Sequence, residues 1–117
     1  MLEQKFIQEE DYTTAKVKVA DELGLHARPC TLIAKCCLNY SRRVYLVKTE
    51  EPQSQYNCKE IMNMMTMEAN NGTPIKIYVQ GINDEAKEVC KNIAKVISST
   101  LEEITAEFEK EMRKKYL

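Results

Sequence analysis

A single histidine, His26, stands in the stretch Leu23-Gly24-Leu25-His26-Ala27-Arg28-Pro29, and the residues after it carry the period of a helix. Leu32, Ile33, Cys36, Cys37 and Tyr40 recur at steps of three and four, the spacing that places side chains on one helical face. Pro29 suits the first turn, where its missing N–H leaves no bond unmade. The spacing therefore predicts a helix that starts at about His26 or Ala27 and runs to about Asn39. An imidazole at such a terminus faces unpaired N–H groups and partial positive charge, which together attract anions. Two readings compete. In one, His26 is an ordinary N-cap or surface residue. In the other it meets phosphate. A helix N-terminus disfavours imidazolium, and a neutral ring keeps a lone pair that can act as a nucleophile.

The remaining elements follow from pattern. Ala15 to Val19 alternates as Ala-Lys-Val-Lys-Val and predicts a strand with one wet face. Val44 to Lys48 predicts a second strand, Glu50-Glu51-Pro52-Gln53-Ser54 a break, and Gln55 to Cys58 a third. Glu60 to Met67 is short and rich in methionine, so some of Ile61, Met62, Met64, Met65 and Met67 fill the interior while the rest form an adaptable apolar patch. After the Asn70-Asn71-Gly72 turn, Ile75, Ile77 and Val79 alternate with polar neighbours as a last strand. Asn83 or Asp84 is placed to cap a long helix with the stripe Ala86, Val89, Cys90, Ile93, Ala94 and Ile97. That stripe continues through Leu101, Ile104, Phe108 and Met112. An unbroken helix of this length would reach about 50 Å, too long for one small sheet, so its second half folds back, pairs with a partner or a second copy, or frays.

Composition narrows the function classes. A chain of 117 residues holds one core. A net charge of −1 gives no electrostatic reason to expect nucleic acid or a membrane surface, no apolar run is long enough to span a bilayer, and the start lacks a signal-peptide pattern. A cytoplasmic location is expected. The five cysteines, at 30, 36, 37, 58 and 90, show no C-x-x-C spacing, and one histidine completes no usual zinc pattern, so no metal and no cofactor are expected. Cys36, Cys37 and Cys90 read as core thiols. Cys30, one turn beyond His26, reads either as packing at the helix start or as a surface thiol with a redox or nucleophilic role.

The hexapeptide Gly24-Leu25-His26-Ala27-Arg28-Pro29, followed by Lys59-Glu60-Ile61-Met62 and then Asn71-Gly72-Thr73, resembles the histidine-containing phosphocarrier family HPr of the bacterial phosphoenolpyruvate-dependent sugar phosphotransferase system. The likeness runs from about Thr13 to Ser99. It implies an α+β fold: an HPr-like open-faced β-sandwich, with a four-stranded antiparallel sheet and three helices on one face, in the order β-α-β-β-α-β-α. An extended C-terminal helix is added to it. The domain would span residues 13–99, with extensions at 1–12 and 100–117. The resemblance further implies phosphorylation of His26, through Nδ1, with Arg28 stabilising the phosphoryl group. Ala27, Thr31, Ile61, Met62 and Met65 would meet the partners, Enzyme I and the IIA domains of sugar permeases. The protein would be a carrier without turnover of its own.

Two positions depart from the family pattern. Glu60 stands where many relatives carry a regulatory serine, either capping the short helix or imitating a phosphorylated serine. Glu68 stands where glycine is usual. Self-association through residues 100–117 is a further expectation. Three alternatives remain open at this stage: a regulatory paralogue (nitrogen-type or metabolic-control) using the same His26 without sugar transport, a non-phosphorylated interaction module, and an enzyme using His26 with Cys30.

Overall fold

The computed structural model describes the backbone of residues 11–116 and the side chains of residues 11–107 and 110. Four strands, β1 (Tyr12–Lys18), β2 (Val44–Lys48), β3 (Glu51–Asn57) and β4 (Pro74–Gln80), form one antiparallel sheet in the order β1-β4-β2-β3. Four helices accompany them: α1 (Ala27–Cys36), α2 (Ile61–Met65), α3 (Asp84–Ile97) and α4 (Leu101–Tyr116). Alternation sends Val44, Leu46, Ile75, Ile77 and Val79 to one face, where they meet Cys30 and Ile33 of α1, Met64 of α2 and Ile93 of α3 in a single buried cluster. Each large side chain buried there contributes about 1.5–3 kcal/mol of transfer free energy. The opposite face carries Tyr12, Tyr45 and Tyr78, with the last two rings stacked at 4.8 Å.

Several expectations hold at residue level. Ala15 and Val17 turn inward while Thr14, Lys16 and Lys18 stay exposed. Asn83 caps α3, its Oδ1 accepting the Ala86 N–H at 2.9 Å. The methionines divide as their crowding requires: Met64 and Met67 are 1% exposed, Met62 is 74% exposed, and Ile61 and Met65 are half-buried. All thiols expected in the core are covered, Cys37 and Cys90 fully and Cys36 in part.

Other expectations are corrected. Helix α1 ends at Cys36, with Cys37 as its cap, rather than near Asn39. The expected break at residues 50–54 is only the turn between β2 and β3, because strand pairing resumes with Lys48 opposite Glu51. Pro52 is tolerated there because β3 lies at the sheet edge, where a missing N–H leaves no ladder bond unmade. Strand β1 runs Tyr12–Lys18, starting three residues before and ending one residue before the expected Ala15–Val19. The rest of the expected N-terminal extension, residues 1–10, lies outside the described residues.

The single long C-terminal helix is also corrected. It divides at residues 98–100, so α3 and α4 are separate helices. The Ser98 hydroxyl folds back onto the Ala94 carbonyl at 2.7 Å, ending α3. A reciprocal box then opens α4: the Thr100 N–H donates to Glu103 Oε1 at 3.0 Å, and the Glu103 N–H donates to Thr100 Oγ1 at 3.3 Å. The turn brings Lys95 Nζ within 2.8 Å of Glu107 Oε1 and buries Ile104 in the common core. The start of α4 thus folds back on the domain. Phe108 and Met112, the rest of the expected stripe, have side chains outside the described residues.

Glu68 occupies the left-handed region, with φ +52°, a conformation that favours glycine. Glu68→Gly relieves about 1–2 kcal/mol of strain and gives back part of it as unfolded-chain entropy. The expected net gain is about 0.5–1 kcal/mol, visible as a higher urea midpoint with an unchanged slope.

Candidate functional site

The loop from β1 to α1 is built to aim one ring. Asp21 Oδ1 accepts the Leu23 N–H at 2.9 Å, and the Asp21 carbonyl accepts the Gly24 N–H at 3.0 Å, closing a tight turn. Gly24 completes it with φ +74°. The Leu25 N–H donates to the Ala69 carbonyl at 2.9 Å, and the Leu25 side chain is buried, so the turn is pinned to the segment between α2 and β4. His26 follows as the N-cap of α1, with extended φ −86° and ψ −170°, and its side chain makes no capping bond. Its carbonyl accepts the Cys30 N–H at 3.2 Å, the first bond of the helix. The N–H groups of Ala27 and Arg28, at the first two helical positions, are left without intrahelical acceptors.

The ring is held unequally. Nε2 is shielded from solvent and has no hydrogen-bond partner, with Asp21 Oδ1 at 3.7 Å. The histidine side chain is 26% exposed and that of Asp21 is 13% exposed. The N–H donors of Leu23 and Leu101 hold the Asp21 carboxyl below its ordinary value, with a smaller contribution from His26, while its burial pulls the other way. The Leu101 bond matters to the site: the first N–H of α4 donates to Asp21 Oδ2 at 2.8 Å. Arg28 is exposed and lines an open groove between α1 and α4, together with Asp21, Thr100, Leu101, Glu102 and Thr105. Its guanidinium is therefore free to swing toward an anion at the helix terminus.

The expected docking residues fall into two groups on adjoining helices. Ala27 is exposed and Thr31 half-buried on α1, with the Thr31 hydroxyl donating to the Ala27 carbonyl at 2.8 Å. Ile61, Met62 and Met65 lie on α2, which packs against α1. Cys30 is corrected as a surface thiol: it is 0% exposed, its Sγ donates to the Leu25 carbonyl at 3.5 Å, and burial pushes the thiol up to about 11. It packs the helix start. Glu60 is corrected as a side-chain cap. It occupies the N-cap position of α2, but its carboxylate makes no capping bond and accepts instead from Asn57 Nδ2 at 3.3 Å. The glutamate chain is long enough to reach past the first turn. Among the described residues no cluster of His, Cys, Asp or Glu could hold a metal ion, and no helix is long and apolar enough to cross a membrane.

The family profile described as "PTS HPr component phosphorylation site" matches residues 13–99. The chain belongs to the HPr family. It is 36% identical over 74 residues to the phosphocarrier protein HPr of Mycoplasma capricolum subsp. capricolum, a match covering 62% of this chain and 80% of that protein. Among solved structures, the histidine-containing phosphocarrier protein of a Mycoplasma superposes with a TM-score of 0.60 at 31% identity, over 72% of this chain and 90% of the other. Crh, the Bacillus subtilis catabolite repression HPr, does so with a TM-score of 0.53 at 26% identity, over 74% and 98%. The four-stranded antiparallel open sheet with its helices is accordingly the HPr fold, with α4 added after it.

Asp21 is the residue that sequence reasoning missed. The available signal was an Asp three positions before a Gly, which marks an Asx turn but says nothing of the ring it would face.

The two carboxylates at the start of α4 also make its seating depend on pH. Asp21 lies below its ordinary 3.8 and Glu103, held by Thr100, below its ordinary 4.5. Because both folded values are depressed, their contribution is complete above the unfolded values and is lost as pH falls through the folded ones. The amides of Thr100 and Leu101 should therefore keep their protection from hydrogen exchange down to about pH 4.5 and lose it at lower pH, ahead of amides within the sheet.

Proposed function

We propose that this HPr family member accepts a phosphoryl group on His26 from phospho-Enzyme I and passes it to IIA domains of the sugar phosphotransferase system. The observation that carries this reading is the ring geometry. Nε2 is shielded, so Nδ1 is the nitrogen left to meet a donor. In acceptance, the Nδ1 lone pair forms the N–P bond as the donor's bond to phosphorus breaks in line and its electron pair leaves with the donor. The phosphoryl oxygens are received by the free N–H groups of Ala27 and Arg28 and by the Arg28 guanidinium. Hand-over is the reverse, which suits a carrier because the imidazole leaves readily. Ala27, Thr31, Ile61, Met62 and Met65 form the surface against which Enzyme I and IIA domains dock.

The test is incubation with phosphoenolpyruvate and an active Enzyme I, followed by intact mass. One added phosphoryl group that is lost in acid, and that moves to a sugar-type IIA domain on its addition, is the expected result. A label that forms but is never passed on favours the second reading, regulation, for which the likeness to Crh and Glu60 in the regulatory position both speak. No label at all overturns both. Arg28→Ala should slow acceptance by about 10–100-fold, the effect of losing one charged donor to the transferring group. Its melting temperature should hardly change, because Arg28 is exposed. Arg28→Lys should recover part of the rate, since a lysine supplies charge without the fork of donors.

A further inference from the structure

We propose that Asp21 is a positioning residue for His26, a carboxylate held in place by the start of α4 that directs the Nε2 proton inward and leaves Nδ1 as the nucleophile. The proposal rests on the reading of His26 as the phosphoryl acceptor, and three observations carry it. Nε2 is a buried polar atom without a partner, a costly condition unless a partner is close. Asp21 Oδ1 stands 3.7 Å away, so a small rotation of the ring closes the gap to hydrogen-bond length, as happens when a catalytic contact tightens on binding. The carboxylate itself cannot wander, because the N–H of Leu23 holds Oδ1 and the N–H of Leu101 holds Oδ2.

The chemistry follows from this arrangement. A neutral imidazole with its proton on Nε2 has its lone pair on Nδ1. As Nδ1 forms the bond to phosphorus and the donor's bond breaks, the ring keeps its Nε2 proton and becomes cationic. Asp21 faces that developing charge, the part a buried carboxylate plays behind a catalytic histidine in acyl transfer. When the group is handed on, the electrons of the N–P bond return to Nδ1 and the ring is neutral again. The carboxylate therefore lowers the barrier to acceptance, steadies the phosphorylated ring and takes no proton. Its second oxygen is bound by α4, beyond the residues matched by the family profile, so the added helix acts on the reactive ring through one shared carboxylate.

Asp21→Asn tests this, because the amide removes the charge and keeps one oxygen for the Leu23 N–H, while its NH2 group cannot accept the Leu101 N–H. Three quantities are read on the full chain. The first is the imidazole nitrogen spectrum of the unphosphorylated wild type in mildly alkaline buffer. It should show predominantly the Nε2–H tautomer, and Asp21→Asn should shift the population toward Nδ1–H. The second is the rate of labelling from phosphoenolpyruvate and Enzyme I at pH 7, expected to fall about tenfold in Asp21→Asn. The third is the lifetime of the phosphorylated form at pH 7, expected to shorten several-fold, because the cationic ring has lost the charge that steadied it. A merely structural role would leave the tautomer population unchanged. A wild-type spectrum dominated by the Nδ1–H tautomer overturns the proposal without need of any variant, as does an Asp21→Asn protein with wild-type labelling and lifetime. If the wild type takes no label yet shows the Nε2–H tautomer and its loss in Asp21→Asn, the phosphocarrier reading fails and the positioning role of Asp21 stands.

Discussion

His26→Ala should leave the protein folded and unable to accept a phosphoryl group. The ring makes no hydrogen bond and is 26% exposed, so its removal should change stability by no more than about 1 kcal/mol. The chemical loss has no such limit. His26 is the only histidine in the chain, so no second imidazole can take its place. Cys30, the nearest nucleophile along the helix, is sealed in the core with its thiol pushed up to about 11. Incubation of the variant with phosphoenolpyruvate and Enzyme I should give no added mass under conditions that label the wild type fully. Its thermal unfolding, followed by circular dichroism, should nearly overlay that of the wild type. A variant that still takes an acid-labile group would assign the chemistry to another residue.

Gly24→Ala should produce the largest loss of stability of the substitutions considered. At φ +74° an alanine pays about 1–2 kcal/mol for its backbone alone. Its Cβ would lie 2.3 Å from the Ala69 carbonyl oxygen and 3.1 Å from Asn70 Cα, so the two segments must separate. Backbone shifts of this kind cost about 1–3 kcal/mol more. The shift also opens the bond from the Leu25 N–H to the same carbonyl, which anchors the loop next to His26. A total of about 3 kcal/mol or more is expected from urea unfolding. Labelling should slow as well, since a displaced loop no longer presents the ring at the helix terminus. The pairing of a lower midpoint with slower labelling separates this variant from His26→Ala, which loses only the chemistry.

Local signals in the chain were enough for most of the fold. The alternation in Ala15–Val19 and Ile75–Val79, the stripe of α3 and the Asn83 cap each act over a few residues, and each is present as expected. The site was legible to the extent that it is contiguous: Gly24, His26 and Arg28 are neighbours in sequence. Asp21 escaped because its meaning depends on a bond to Leu101, eighty residues on, and no local pattern foretells it. The division at residues 98–100 escaped for a different reason. The apolar stripe runs on through it in nearly the same period, and the Thr100–Glu103 box that restarts the helix was outweighed by that continuity. The break expected around Pro52 failed because proline forbids a central strand and not an edge strand, a distinction set by sheet order.

The link between α3 and α4 is only three residues long, and this has a consequence for competition at the groove. A helix tethered so briefly meets its own docking site at an effective concentration of order millimolar or more. Weak contacts, the seat of Ile104 and the bond to Asp21 among them, are then enough to keep it in place. A partner seeking the α4 side of Arg28 must outbid that local supply or dock on the side α4 leaves open. The appended helix thus sets a threshold affinity for one approach to the histidine.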